Sequence, residues 1–295
     1  MKDTGFDAMP AKPGPGIGQA IALCALYIVV ATMVAILLLL TKSTMDTMMA
    51  MFIQNVVAWS VTLPAGLWWS RAQAKEAFPF RPFPVQIVPA LVIGTWGLTL
   101  LLVGTATLIP APDWWKNAME KLLAGTAKWT MFLPVVVVAP LAEELFFRGL
   151  VLRGFLQRYS VTKAVWASSI LFAVFHLNPW QVFVALPLGL FMAWLFLCTR
   201  SLWPCIIAHV TANFGTNYLL PLLARVLGYD QEEWKALRSY PPSVFAIAGA
   251  LAVVGGAILW KQLQSRHASL SAPGGESQTS AAIPTLGLSD GGGIE

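Results

Sequence analysis

Pro140-Leu141-Ala142-Glu143-Glu144-Leu145-Phe146-Phe147-Arg148-Gly149 follows the apolar run Val135 to Ala139, and it sets two carboxylates and an arginine where hydrocarbon is expected. A charge at membrane depth costs about 2.5 to 3.5 kcal/mol even on lenient scales, so such residues usually face a protein interior and serve a function. Of the fourteen acidic residues, Glu143 and Glu144 alone fall inside an apolar segment. At about 100° per residue, Glu144 and Arg148 stand i, i+4 on one helical face and can pair, while Glu143 points elsewhere. Glu144 is then either half of a structural ion pair or a catalytic group. Glu143 has no such local partner and is the better candidate for chemistry.

The chain around this stretch is 57% hydrophobic and 11% charged, too apolar for an ordinary soluble domain. It reads as an all-α, polytopic membrane bundle. The nineteen Lys and Arg are spread over loops and helix ends, so the net charge of +5 is a topology signal and not a nucleic-acid footprint. Cys24, Cys198 and Cys205 lie in or beside apolar segments without metal-type or disulfide spacing. The first apolar run is too long for a signal-peptide core and lacks a small-residue cleavage site, so it should stay as a span.

Eight spans are expected, near Ile17 to Leu40, Thr47 to Trp69, Val85 to Leu108, Thr130 to Gln157, Thr162 to His176, Trp180 to Cys198, Trp203 to Ala224 and Ser243 to Lys261. Residues 1–16 read as a disordered leader, 17–128 as N-terminal spans plus a surface-lying amphipathic helix over Asp113 to Lys128, and 129–224 as the catalytic core. A loop and the last span follow over 225–267, then a disordered tail over 268–295. Phe78 to Pro84 alternates aromatics with prolines, as an interfacial loop would. The last span is dense in glycine and alanine, which permits close helix approach. Eleven Lys and Arg fall on the side of the two termini and seven on the other, which predicts cytoplasmic termini.

Two histidines join the glutamates inside the membrane, His176 ending the fifth span and His209 in the seventh. Glu143 and His176 lie about 24 Å along their helices from the turn near Ser160, so they should be level. In the seventh span His209, Asn213, Thr216 and Asn217 form one polar stripe; the first pair reads as a site, the second as hydrogen-bonding glue between helices. Glu, His, His and Asn suit the attack of water on a carbonyl. A carboxylate in a poorly hydrated pocket is a stronger base than one in water, a neighbouring histidine orients the water, and imidazole and amide groups can stabilise an oxyanion.

Glu143-Glu144-x-x-x-Arg148, Phe172-x-x-x-His176 and His209-x-x-x-Asn213 resemble, in order, the three motifs of the CAAX protease and bacteriocin-processing family of intramembrane proteases, which includes the type II CAAX prenyl endopeptidases. The likeness covers roughly Thr130 to Leu220. It implies a polar cavity within the membrane and proteolysis near the C-terminus of a membrane-associated or lipidated substrate. By the same likeness Glu143 and His176 would activate water, His209 and Asn213 would bind the oxyanion, and Glu144, Arg148 and Phe172 would shape the site.

A metal-free mechanism is favoured, because Glu and His can activate water unaided and no His-Glu-x-x-His helix is present. Were zinc used, Glu143, His176 and His209 would be its ligands. A proton-coupled transporter is a rival class, but no inverted repeat is visible. A non-catalytic immunity or scaffold protein on the same fold is another. Prenylated CAAX proteins, bacteriocin precursors and C-terminal sorting signals remain open as substrates.

Overall fold

The computed structural model describes residues 14–41, 45–115, 117, 132–229 and 240–270. Among these residues every regular element is helical. That is what a lipid-embedded backbone requires, since its polar groups must be satisfied within the segment. Eight long rods follow one another: α1 (Ile17–Leu40), α2 (Thr47–Ser70), α3 (Val85–Ala106), α4 (132–156), α5 (Val161–Phe175), α6 (Pro179–Thr199), α7 (202–226) and α8 (Pro242–Leu270). Five of them, α1, α2, α3, α6 and α8, are long and apolar enough to cross a membrane. Ile36, Leu37, Leu39, Val253 and Val254 project outward, as lipid-facing side chains do. The chain is an integral membrane protein.

Short polar caps start the rods. Asp46, Asn178 and Ser201 accept backbone N–H groups at the first turns of α2, α6 and α7, meeting donors that have no intrahelical partner. The departures from the expected spans are informative. α5 has only fifteen residues and stops at Phe175, leaving His176 as its C-cap. Rods α4 and α7 are mixed: α4 runs as π-helix over Phe132–Val138, α-helix over Ala139–Glu144, π-helix over Leu145–Leu152 and α-helix over Arg153–Leu156. α7 has a π segment at Gly215–Leu219. The amphipathic helix expected to Lys128 lies, beyond residue 117, outside the described residues, as does the tail from 271.

α3 and α8 cross antiparallel at their small residues. A Cβ on Gly97 would stand 2.3 Å from the Ala252 nitrogen, and one on Gly255 would stand 2.3 Å from the Gly94 nitrogen. No side chain fits there. Gly249 of the same run meets nothing within 4 Å, so only one face of α8 uses its glycines for contact. Gly97→Leu should therefore lower the thermal unfolding midpoint in detergent by the equivalent of about 1 to 3 kcal/mol or more, the usual cost of overpacking. Gly249→Leu should leave the midpoint in place.

The rods define two faces. On one, the Gly14 N–H donates to Gln157 Oε1 at 2.8 Å, so residues 14–16, expected in the leader, lie against the end of α4. The 71–84 connection is on this face too: the Leu202 N–H donates to the Pro79 carbonyl and Ser201 Oγ to that of Arg81. On the opposite face lie the end of α1, the start of α2, the 176–178 turn and the end of α3, where Trp180 Nε1 donates to the Ile109 carbonyl.

Candidate active site

Proline makes the middle of α4 irregular. In a π register the carbonyl of residue 135 looks to the N–H five residues on, and residue 140 is proline, which has none. Asn213 Nδ2 donates to that Val135 carbonyl at 2.8 Å. One amide thereby satisfies a buried acceptor and pins α7 to α4 just before the glutamates. The next two residues of the stripe behave differently from expectation. Thr216 Oγ1 and Asn217 Nδ2 donate to the Ala212 and Asn213 carbonyls of their own helix, not across to a neighbour.

Glu144 is fully buried, and a single oxygen, Oε1, accepts from both Arg148 Nη1 at 2.8 Å and His209 Nδ1 at 2.8 Å. Arg148, 2% exposed, also donates through Nη2 to the Gly189 carbonyl at 3.2 Å. Gly189 gives α6 room for this approach, because a Cβ there would press on Phe172 and Ser169. Phe172 closes the group. The Arg148 guanidinium carbon stands 4.5 Å from its ring centroid, and both imidazoles meet the ring edge to face, His176 at 5.1 Å and His209 at 5.6 Å. Three motifs on three helices thus share one aromatic ring.

His176 is fixed from the other side. Its Nδ1 lies 2.9 Å from the Phe172 carbonyl, which can only accept, so Nδ1 carries the hydrogen and Nε2 the lone pair. The chain turns at once through Leu177, at φ 52°, to Asn178, which caps α6. This tight turn sets Gln181, in the first turn of α6, beside His176.

Glu143, across the helix from Glu144, points at both histidines. Its Oε2 is 3.7 Å from His209 Nε2 and 4.0 Å from His176 Nε2, and this buried oxygen accepts no hydrogen bond from the described residues. Two cavities meet here. One of about 180 Å³ is lined by Glu143, Met48, Met51, Phe52 and Asn55; the other, of about 330 Å³, lies among α3, α6 and α7. Val135, His176, Gln181, His209 and Asn213 line both and form the wall between them. Both cavities lie toward the face opposite residues 14–16, lined from the ends of α2, α4 and α6 that adjoin it.

The structure therefore brings together Glu143, Glu144, Arg148, Phe172, His176, His209 and Asn213. Three further polar side chains, Gln181, Asn55 and Tyr27, stand near them without having been singled out in the sequence. Asn55 lines the smaller cavity and accepts from Tyr27 across α1 and α2. Gln181 is the only amide in apolar α6, and that is the signal it offers; Asn55, next to Gln54, and Tyr27 offer none so clear. As a zinc site the set fits poorly. Bonds of about 2.0 to 2.1 Å in a tetrahedron hold donor atoms about 3.3 Å apart, closer than the 3.7 and 4.0 Å between Glu143 Oε2 and the two histidines. Among the described residues no group of three His, Cys, Asp or Glu is arranged to hold a metal ion.

Residues 125–215 match the family model for Rce1-like type II CAAX prenyl endopeptidases. The match spans all three motifs and the wall between the cavities. Searches of curated proteins and of solved structures find no significant match to the chain.

Proposed function

We propose, from the premise that the core of this chain is of the Rce1-like CAAX protease family, that it is an intramembrane endopeptidase in which Glu143 activates water against a peptide bond of a membrane-associated protein. The observation that carries this reading is the convergence of two imidazole Nε2 atoms on one buried carboxylate oxygen. A water about 2.8 Å from both Glu143 Oε2 and His176 Nε2 is compatible with their separation of 4.0 Å. Ionised Glu143 accepts one of its hydrogens and His176 Nε2 the other, which leaves an oxygen lone pair for the carbonyl carbon.

As the new C–O bond forms, Glu143 takes the proton, and the former carbonyl oxygen becomes an oxyanion on the His209 and Asn213 side. The proton then passes to the departing nitrogen as the C–N bond breaks, giving a carboxylic acid and an amine, and the acid's proton then moves to the amine. Glu144, Arg148 and Phe172 hold His209 and the wall in place. The donor separations favour activation without a metal. The family points to a bond near the C-terminus, in a prenylated CAAX-type tail, a bacteriocin precursor or a sorting signal. The Lys and Arg distribution supports cytoplasmic termini.

The test is cleavage of lipidated and unlipidated C-terminal peptides by the purified protein, with and without a chelator. Cleavage is expected to survive chelation, and the preferred peptide identifies the substrate class. Loss on chelation, restored by zinc, would replace the metal-free mechanism. A wild type that cleaves no peptide, in cells where Glu143→Gln still supports its role, would leave a scaffold.

A further inference from the structure

We infer that Gln181 donates a hydrogen bond to the developing oxyanion, a role that rests on the peptidase reading above. The argument starts from the hydrogens available in the wall. His209 commits its Nδ1 hydrogen to Glu144, so it donates to substrate through Nε2 only as the imidazolium. Asn213 commits one amide hydrogen to the Val135 carbonyl, leaving one. His176 presents a lone pair at Nε2 and has no hydrogen to give there in its neutral form.

With both imidazoles neutral, the three motifs therefore offer the oxyanion a single hydrogen. Such sites commonly aim more than one donor at the charge. Of the five residues that line both cavities, Val135 has an apolar side chain and three belong to the motifs. The fifth is Gln181.

Its carboxamide makes no hydrogen bond to the described residues, while its backbone is held firmly: the Gln181 N–H donates to Asn178 Oδ1 at 3.3 Å. The preceding Trp180 donates to the Ile109 carbonyl and packs against Trp115 at 5.3 Å. A free, exposed amide on a fixed helical turn, lining the same wall as the water-activating histidine, is available to a substrate carbonyl. Its second hydrogen and its oxygen remain for the peptide backbone on either side of the wall.

The experiment measures kcat and KM for cleavage of one peptide by the full-length protein carrying Gln181→Leu, Gln181→Glu or Gln181→Asn, with thermal unfolding of each in detergent. Removal of one oxyanion donor commonly lowers kcat by about 10² to 10³. Gln181→Leu should fall in that range with KM within a few-fold of wild type. Gln181→Glu, whose carboxylate donates nothing and repels the charge, should fall at least as far. Gln181→Asn should recover part of the rate.

Wild-type kcat in the Leu variant, or in a folded Glu variant, overturns the assignment and leaves the peptidase standing. Should the Leu variant unfold, the Glu and Asn variants decide. Peptide cleavage that persists in Glu143→Gln sinks the peptidase mechanism itself, an outcome distinct from any result at position 181.

Discussion

Glutamine at position 143 is expected to lower kcat for peptide cleavage by about 10³ to 10⁴-fold, the upper part of the range a positioned general base supplies. The substitution is nearly isosteric, and Glu143 makes no ion pair with Arg148, so the bundle should keep its unfolding midpoint. What is lost is the acceptor for the water proton. A glutamine amide nitrogen facing His176 Nε2 and His209 Nε2 would donate to them instead, and the water would lose its place between residue 143 and His176. The substrate contacts remain, so KM should change little. Steady-state cleavage by the purified variant checks this, and a rate above a tenth of wild type would remove Glu143 from the role of base.

Alanine at position 144 is expected to act on stability as well as rate. It strips Arg148, at 2% exposure, of its carboxylate and His209 of the acceptor that fixes its tautomer. Breaking a buried pair by removing one partner costs about 3 to 5 kcal/mol, because the remaining charge is left uncompensated. The Gly189 carbonyl and the Phe172 ring still face the guanidinium but supply no negative charge. Thermal unfolding in detergent should show a marked drop, and cleavage should fall to background. Glu144→Gln, which keeps a neutral acceptor, should lose less stability. An alanine variant with the wild-type midpoint would contradict the buried network. Two adjacent glutamates are thus separable: substitution of one silences the chemistry, and substitution of the other also loosens the fold.

That separation was legible in the sequence, because an i, i+4 spacing needs only the helical period to place Glu144 with Arg148. The levels of Glu143 and His176 were legible for the same reason, as was the glycine-rich contact of α8. The π segments were not. Pro134 and Pro140 mark α4 as unusual, but the carbonyl that Pro140 leaves bare is satisfied by Asn213 from 78 residues away. No local rule names that partner. Phe172 was named through the family likeness, but that its one ring joins the three motifs was hidden by the same limit, since spacing alone leaves it one phenylalanine among sixteen. His209 shows the limit most clearly. Its neighbours in sequence are apolar, and no local rule says which of the two glutamates its Nδ1 will meet. Gln181 escaped because a lone amide at a helix start looks like ordinary capping chemistry until the cavities are seen to meet beside it.

Both cavities lie toward the face opposite the one where residues 14–16 rest against α4. A handle coupled at exposed position 158, beside those residues, would therefore stand across the bundle from both cavities. Immobilised by such a handle, the molecule would present its mouth outward, free for peptides to approach. An antibody fragment raised against the turn at 176–178 would stand in the substrate's way, whereas one bound at position 158 would leave turnover untouched.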